Sequence, residues 1–253
     1  MIRPRVIPVL LLKGEGLVKT VRFKDPKYLG DPINIVRIFN DKEVDELIFL
    51  DITATNEGRR PPFELLAKIT SECFMPLGYG GGIRSMEDVK ALLGIGIEKV
   101  IMNTRAVEEP AFITEVAEYA GSQAVVVSMD VKKGFLGKYE VFTHSGRNGT
   151  GLDPVQHALE MEKRGAGELF LNAIDRDGMM QGYDLDLVRR VAESVQLPLV
   201  ACGGAGDIRH LAEAILQGGA SAAAAGSLFV FQGPLRGVLI SYPSQEELKS
   251  ILP

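Results

Sequence analysis

Asp130 ends the apolar run Val125-Val126-Val127-Ser128-Met129. An ionised carboxylate is costly in such a place unless it serves a polar opening, so Asp130 is the first candidate for acid–base chemistry. Asp51, Asp175 and Asp177 also stand at or just beyond the ends of apolar runs. Each has a second reading as the cap of a turn or a helix start. For Asp175 the two readings weigh equally, whereas Asp177, followed by Gly178, suits a ligand loop better. Two glycine turns, Gly80-Gly81-Gly82 and Gly203-Gly204-Ala205-Gly206, would leave backbone N–H groups open near helix starts, where phosphates bind. Glycine after a strand is also ordinary turn chemistry. Asn103-Thr104 and Gly226-Ser227 add donors beside these turns, so a ligand with two phosphates is expected over empty turns.

A second constellation lies at the opposite ends of the runs. Arg5, Glu46, Lys99 and Glu168 stand at or just before the starts of four of them. Two cations and two anions can neutralise one another as a salt-bridge plug, or form a ring that opens for a small molecule. The three histidines are scattered. His157 and His210 fall in helix-like stretches and read as surface residues, while His144, in a long loop, is placed to touch a ligand. Cys73 and Cys202 read as packing, with no metal-type spacing and no Cys/His centre. No metal or other cofactor is expected.

Eight short apolar segments must position these groups: Val6 to Leu12, Leu47 to Asp51, Met75 to Tyr79, Lys99 to Met102, Ala124 to Asp130, Leu169 to Asn172, Leu197 to Ala201 and Ala222 to Ala225. Helix-like stretches such as Met86 to Leu93, Asp153 to Arg164, Leu185 to Ser194 and Ile208 to Gln217 alternate with them. Short runs apolar on both faces are those of buried parallel strands, so the pattern predicts one (β/α)8 barrel over 1–253. The chain also repeats itself: Pro76 to Ile83 resembles Pro198 to Ala205, and Glu46-Leu47 resembles Glu168-Leu169 at the same displacement. Two half-barrels, about 1–122 and 123–253, are expected. The longest loops, after the first and fifth runs, read as functional lids.

Composition narrows the partners. The 253 residues are 46% hydrophobic and 24% charged, which suffices for one large core. Lys+Arg 28 against Asp+Glu 33 gives a net charge of −5 with no basic block, which argues against nucleic acid. No stretch is long and apolar enough for a membrane span. Met1-Ile2-Arg3-Pro4-Arg5 leads straight into an apolar run, and two cysteines fit a reducing compartment, so a cytoplasmic protein without a signal peptide is expected.

Over nearly the whole chain, Asp51 to Ala54, Gly80 to Ile83, Asn103 to Val107, Gly121 to Val127, Lys163 to Glu168, Asp175 to Gly178 and Gly203 to Gly206 resemble the cyclase subunit of imidazole glycerol phosphate synthase. The resemblance implies a (β/α)8 barrel of two similar halves and a substrate with a phosphate at each end. Gly82, Asn103 and Thr104 would hold one phosphate, and Asp177, Gly178, Gly204, Gly226 and Ser227 the other. Lys19 matches a loop lysine near the ligand, and Asp51 joins the ligand contacts. Arg5, Glu46, Lys99 and Glu168 match a charged gate. Through it, ammonia from a glutaminase subunit docked at the amino-terminal barrel face enters the interior.

One departure stands out. That family uses two aspartates as acid and base, and only the second is present, as Asp130; the first position is Leu11, within Pro8-Val9-Leu10-Leu11-Leu12-Lys13. Leucine cannot transfer a proton. Losing a general acid or base costs about 10²–10⁴ in rate, roughly 3–5 kcal/mol of barrier, so cyclase activity is expected to be weak or lost. Glu15, in the following loop, is a candidate surrogate. Ile101 and Met179 are apolar where the family more often has small hydroxyl residues on the ligand side. The C-terminal segment 226–244 looks like a divergent branch associated with glycosyl amidation in surface-polysaccharide biosynthesis. That branch implies delivery of ammonia to an ATP-using sugar amidotransferase, which turns an acetamido group into an acetamidino group. The alternatives are a working cyclase of histidine biosynthesis and a scaffold that only activates the glutaminase.

Overall fold

The computed structural model describes residues 3–233 and 235–252. Met1 and Ile2 of the expected N-terminal reading, and Pro234 of the C-terminal segment, lie outside the described residues. In chain order the elements are β1 (Arg5–Lys13), β2 (Gly16–Val21), β3 (Lys24–Gly30), α1 (Pro32–Asp41), β4 (Leu47–Asp51), α2 (Phe63–Glu72), β5 (Leu77–Gly80), α3 (Met86–Gly94), β6 (Lys99–Met102), α4 (Thr104–Glu108), α5 (Ala111–Ala120), β7 (Val125–Lys133), β8 (Tyr139–Thr143), β9 (Asn148–Gly149), α6 (Pro154–Lys163), β10 (Glu168–Ala173), α7 (Leu185–Ala192), β11 (Leu199–Cys202), α8 (Ile208–Leu216), β12 (Ala222–Ala225), α9 (Ser227–Val230), β13 (Phe231–Gln232), β14 (Gly237–Val238) and α10 (Gln245–Ile251).

Eight of the strands, in the order β1-β4-β5-β6-β7-β10-β11-β12, form a parallel ring. The ring closes where Arg5 of β1 pairs with Ala222 of β12, giving the expected (β/α)8 barrel. Strand period and closure sort the side chains into two cores. Val6, Leu10 and Leu12 point outward to the helices, whereas Ile7, Val9 and Leu11 point into the lumen with Ile48, Ile101, Val126, Phe170 and Val200. Burying a ring such as that of Phe170, fully enclosed in the lumen, contributes about 1.5–3 kcal/mol.

Local chemistry sets where the elements begin. Two strands start later than their apolar runs, at Leu77 and Leu199, because Pro76 and Pro198 have no N–H for the ladder. Their carbonyls still accept, from the N–H groups of Leu47 and Leu169. Ser85 caps α3 through a reciprocal pair with Asp88, and Asp153, Asp184 and Asp207 cap α6, α7 and α8. The four helix-like stretches become α3, α6, α7 and α8 within two residues of the expected ends.

The two long loops are corrected by the structure: both are ordered antiparallel ribbons. β2 folds back on β1, with Val18 opposite Leu11, and pairs with β3. β8 folds back on β7, with Phe142 opposite Asp130, and pairs with β9. Both ribbons satisfy their backbone by pairing. Among the described residues no helix is long and apolar enough to cross a membrane.

Candidate active site

A pocket of about 580 Å³ opens at the carboxyl ends of the barrel strands. All eight contribute, through Leu11, Leu50, Gly80, Ile101, Asp130, Asn172, Cys202 and Ala225. In the strand ring β1 and β7 are diametrically opposed, so Leu11 and Asp130 come from opposite walls. The glycine turn after β5 likewise lies across from the one after β11, and Asn103-Thr104 after β6 lies across from Gly226-Ser227 after β12. Barrel closure thus distributes two donor groups to opposite sides of one cavity.

Asp130 keeps its proton far more tightly than an ordinary aspartate. Burial first, and the nearby negative charge of Asp177 second, push its pKa up to about 7, and among the described residues no hydrogen bond offsets them. A carboxyl group with that pKa can give and take a proton near neutrality. Leu11 faces the same cavity, buried beside Val9 and Leu50.

The other carboxylates differ in what they can do. Asp51 lines the pocket, but its Oδ1 accepts from the N–H groups of Thr53 and Ala54, both at 2.9 Å, and Arg59 pairs with Oδ2 at 3.4 Å. Its carboxylate therefore organises the turn after β4, as the capping reading allows. Asp175 accepts from the Lys133 N–H at 2.9 Å and does not line the pocket. Asp177 does line it, and is covered by the β2–β3 ribbon: Lys19 Nζ donates to it at 2.9 Å, Thr20 Oγ1 at 2.8 Å and the Phe23 N–H at 3.3 Å. Gly178 and Gly226 permit this closure. A β-carbon at Gly178 would sit 2.4 Å from the Thr20 carbonyl, and one at Gly226 2.8 Å from the Lys19 side chain.

On the opposite side the Asn103 side-chain amide donates to the carbonyls of Ser128 (3.0 Å) and Phe142 (3.1 Å). Thr104 Oγ1 accepts from the His144 N–H at 3.1 Å, which ties the β7–β8 ribbon to the turn after β6, while Gly82 lines the pocket from the turn after β5. Gly204 and Ser227 line the pocket as expected, and His144 does too. Ser227 Oγ and Asn172 Oδ1 are buried with no partner among the described residues, leaving two polar atoms for a ligand.

Four expectations are corrected. Glu15 sits exposed in the tight turn between β1 and β2, outside the pocket lining, because the hairpin carries it away from the mouth. Met179 also lies outside the lining. His157 is buried rather than on the surface, and burial lowers its pKa to about 4. Cys202 packs in the lumen as expected, and also lines the pocket; burial pushes its thiol up to about 12, so it remains protonated. His210, also expected at the surface, is half-buried, its Nδ1 accepting from the Gly206 N–H at 3.1 Å. Sequence reasoning missed Thr55, Arg84, Ser128, Ser145, Arg147 and Asn172 as pocket residues. Position just after or one pleat below a strand end was the available signal for Thr55, Ser128 and Asn172; the others arrive by loop folding.

At the floor, Arg5 reaches both Glu46 and Glu168, and so does Lys99, whose Nζ lies 2.8 Å from each carboxylate. The four groups close a ring of alternating charge. Above it the lumen is apolar up to the pocket, and Ile101 and Ile48 close over the bare Gly78, where a β-carbon would meet them at 3.2 and 3.3 Å.

Comparisons with known proteins agree with this architecture. A family model described as "Histidine biosynthesis protein" matches residues 5–235. A Pseudomonas aeruginosa protein provisionally named imidazole glycerol phosphate synthase subunit hisF2 is 51% identical over 248 residues, covering 98% of this chain and 99% of its own. A Vibrio vulnificus protein provisionally named subunit hisF3 is 48% identical over 253 residues, covering 100% and 97%. The imidazole glycerol phosphate synthase subunit HisF of Alkaliphilus metalliredigens is 45% identical over 229 residues, covering 90% and 91%. With the barrel, the mouth pocket and these matches together, the chain belongs to the HisF family, that of the cyclase subunit of imidazole glycerol phosphate synthase.

Proposed function

We propose that this chain is an ammonia-conducting, cyclase-like barrel. It takes ammonia from a glutaminase subunit at its amino-terminal face and delivers it to a separate ATP-dependent sugar amidotransferase, which converts an acetamido to an acetamidino group. Its own cyclase chemistry is weak or lost. The observation that carries the reading is the pair of walls at the pocket: Asp130 on β7 faces an apolar wall of Leu11, Val9 and Leu50. One carboxyl group cannot serve as both acid and base on two sides of a substrate. The ring of Arg5, Glu46, Lys99 and Glu168 is nonetheless complete. Its opening would admit a small molecule to an apolar lumen, which neutral ammonia crosses far more readily than the ammonium ion. The numbered names hisF2 and hisF3 of two relatives also suit additional copies of the subunit, released from the demand for histidine.

Cyclase turnover of the histidine-pathway substrate at saturating ammonium salt tests this, with the native chain beside Leu11→Asp. Ammonium replaces the glutaminase. The expected result is native turnover at least about 10²-fold below that of Leu11→Asp. Equal, rapid turnover by both overturns the proposal. It would leave the second reading, a working cyclase of histidine biosynthesis, which the retained glycine turns and the ligand-ready Ser227 and Asn172 favour. In that case Asp130 would act with water, since Glu15 stands outside the pocket. A glutaminase that binds the chain but is not activated by it would also count against ammonia delivery.

A further inference from the structure

The two ribbons at the mouth end in different chemistry. β1 turns back through Gly14-Glu15, a polar tip, whereas β7 turns back through Gly134-Phe135-Leu136-Gly137. Phe135 is 104% exposed and Leu136 91%, the two most exposed large apolar side chains of the β7–β8 ribbon. Phe135 stands five positions beyond Asp130 along the ribbon, so the tip lies roughly 15 Å beyond the pocket. Both roots of this arm line the pocket, Asp130 on the outgoing strand and His144-Ser145 after the returning one. Two bare apolar side chains at the end of an ordered arm need a cover that the described residues do not supply.

Charge indicates the kind of cover. Beyond Asp130 the arm carries Lys132, Lys133 and Lys138 against one carboxylate, Glu140 opposite Lys132, and so is net positive in a protein whose net charge is −5. A second copy docking tip to tip would set lysine against lysine. A surface of opposite charge around an apolar socket matches it. A bilayer would bury the tip but turn the pocket mouth toward lipid headgroups, where nothing accepts what leaves it.

We infer that the Phe135-Leu136 tip and its lysines are the docking arm for the ammonia-accepting enzyme, a separate protein with an acidic rim around an apolar socket that seats over the pocket mouth. This rests on the ammonia-delivery reading above. Seating over the mouth would keep ammonia from escaping to solvent, and the arm's roots in the pocket wall would link docking to the exit.

The test reconstitutes the full chain with a glutaminase subunit and an ATP-dependent sugar amidotransferase from the same genome. It follows amide ¹⁵N from glutamine into the amidated sugar, and compares the native chain with Phe135→Asp/Leu136→Asp and with Lys138→Glu. The expected result is transfer reduced about tenfold or more in the double variant, and a smaller, salt-sensitive reduction in Lys138→Glu. Glutaminase activation and amidation from added ammonium salt should stay unchanged, with free ammonium accumulating instead. Native transfer with an unaltered double variant overturns the docking arm and leaves the functional reading intact. No transfer by the native chain overturns both. Co-flotation of the native chain, but not the double variant, with vesicles of anionic phospholipid, while transfer is equal in both, would assign the tip to membrane and overturn the protein partner.

Discussion

Lys19 Nζ lies 2.9 Å from Asp177 Oδ1, with both side chains buried, although 158 residues separate them. This ion pair fastens the β2–β3 ribbon to the turn after β10, across one side of the pocket. Two residues expected to meet a phosphate therefore meet each other. An anion entering there would compete with Asp177 for Lys19, so ligand entry and ribbon position are coupled through one bond.

Removing one partner of a buried pair strands the other charge and costs about 3–5 kcal/mol where the structure cannot relax. Lys19→Met is accordingly expected to loosen the ribbon before the barrel. Hydrogen exchange over residues 16–30 should accelerate strongly, while protection in the barrel strands persists. Uniform acceleration across the chain would show that the ribbon is integral to global stability.

Asp130 gives a pH dependence of unusual sign. Its folded pKa is raised to about 7, from an ordinary value of 3.8. Between those pH values the folded chain holds a proton that the unfolded chain has released, so stability falls as pH rises from about 4 to about 7 and levels off above. The difference corresponds to at most ~4 kcal/mol, since each pH unit is worth 1.36 kcal/mol. Asp130→Asn should flatten this part of the profile and stabilise the protein above neutrality. Urea denaturation of both chains at several pH values checks it, and a native profile already flat there would refute the assignment.

The floor ring separates a conduit from a scaffold. Lys99→Met leaves Arg5 to face both Glu46 and Glu168, so chemical denaturation should reveal a loss of a few kcal/mol. If ammonia passes through the ring, Lys99→Met should also lower ¹⁵N transfer from glutamine while a complex with the glutaminase still forms. Unchanged transfer would favour a barrel that only activates its partner.

Gly78 and Ile101 are fitted to one another in the lumen. Gly78→Ala would place its β-carbon 3.2 Å from the Ile101 side chain and 3.3 Å from Ile48, which calls for about 1–3 kcal/mol of overpacking strain. Ile101→Val in the same chain should recover much of that loss. Thermal unfolding of the single and double variants checks the coupling, and additive losses would show that the two positions do not press on each other.

Much of this protein was legible before any coordinates. The apolar runs became barrel strands, the four charged residues at their starts became one ring, and the glycine turns arrived at one pocket. These follow from repeat and period, because in a parallel barrel every strand runs the same way and its end alone determines which face a residue joins. Even the late starts of β5 and β11 trace to Pro76 and Pro198, visible in the chain.

Tertiary structure decided what nearness in the chain could not. Asp51 and Asp177 look alike as aspartates near strand ends, yet one is engaged by its own turn and the other by a ribbon from the far end of the chain. Asp130 differs from both because no donor among the described residues reaches it. Glu15 was one turn from the right place and lies outside the pocket, since a hairpin reverses direction within two residues. His157 is buried because the face a helix presents depends on what packs against it. The sequence alone therefore determined the barrel and the ends at which its chemistry gathers, since those depend on local period and strand direction. Which carboxyl group stays available was decided only by folding, because the donors that engage Asp177 stand more than a hundred residues away and the absence of a donor at Asp130 depends on how the walls are assembled.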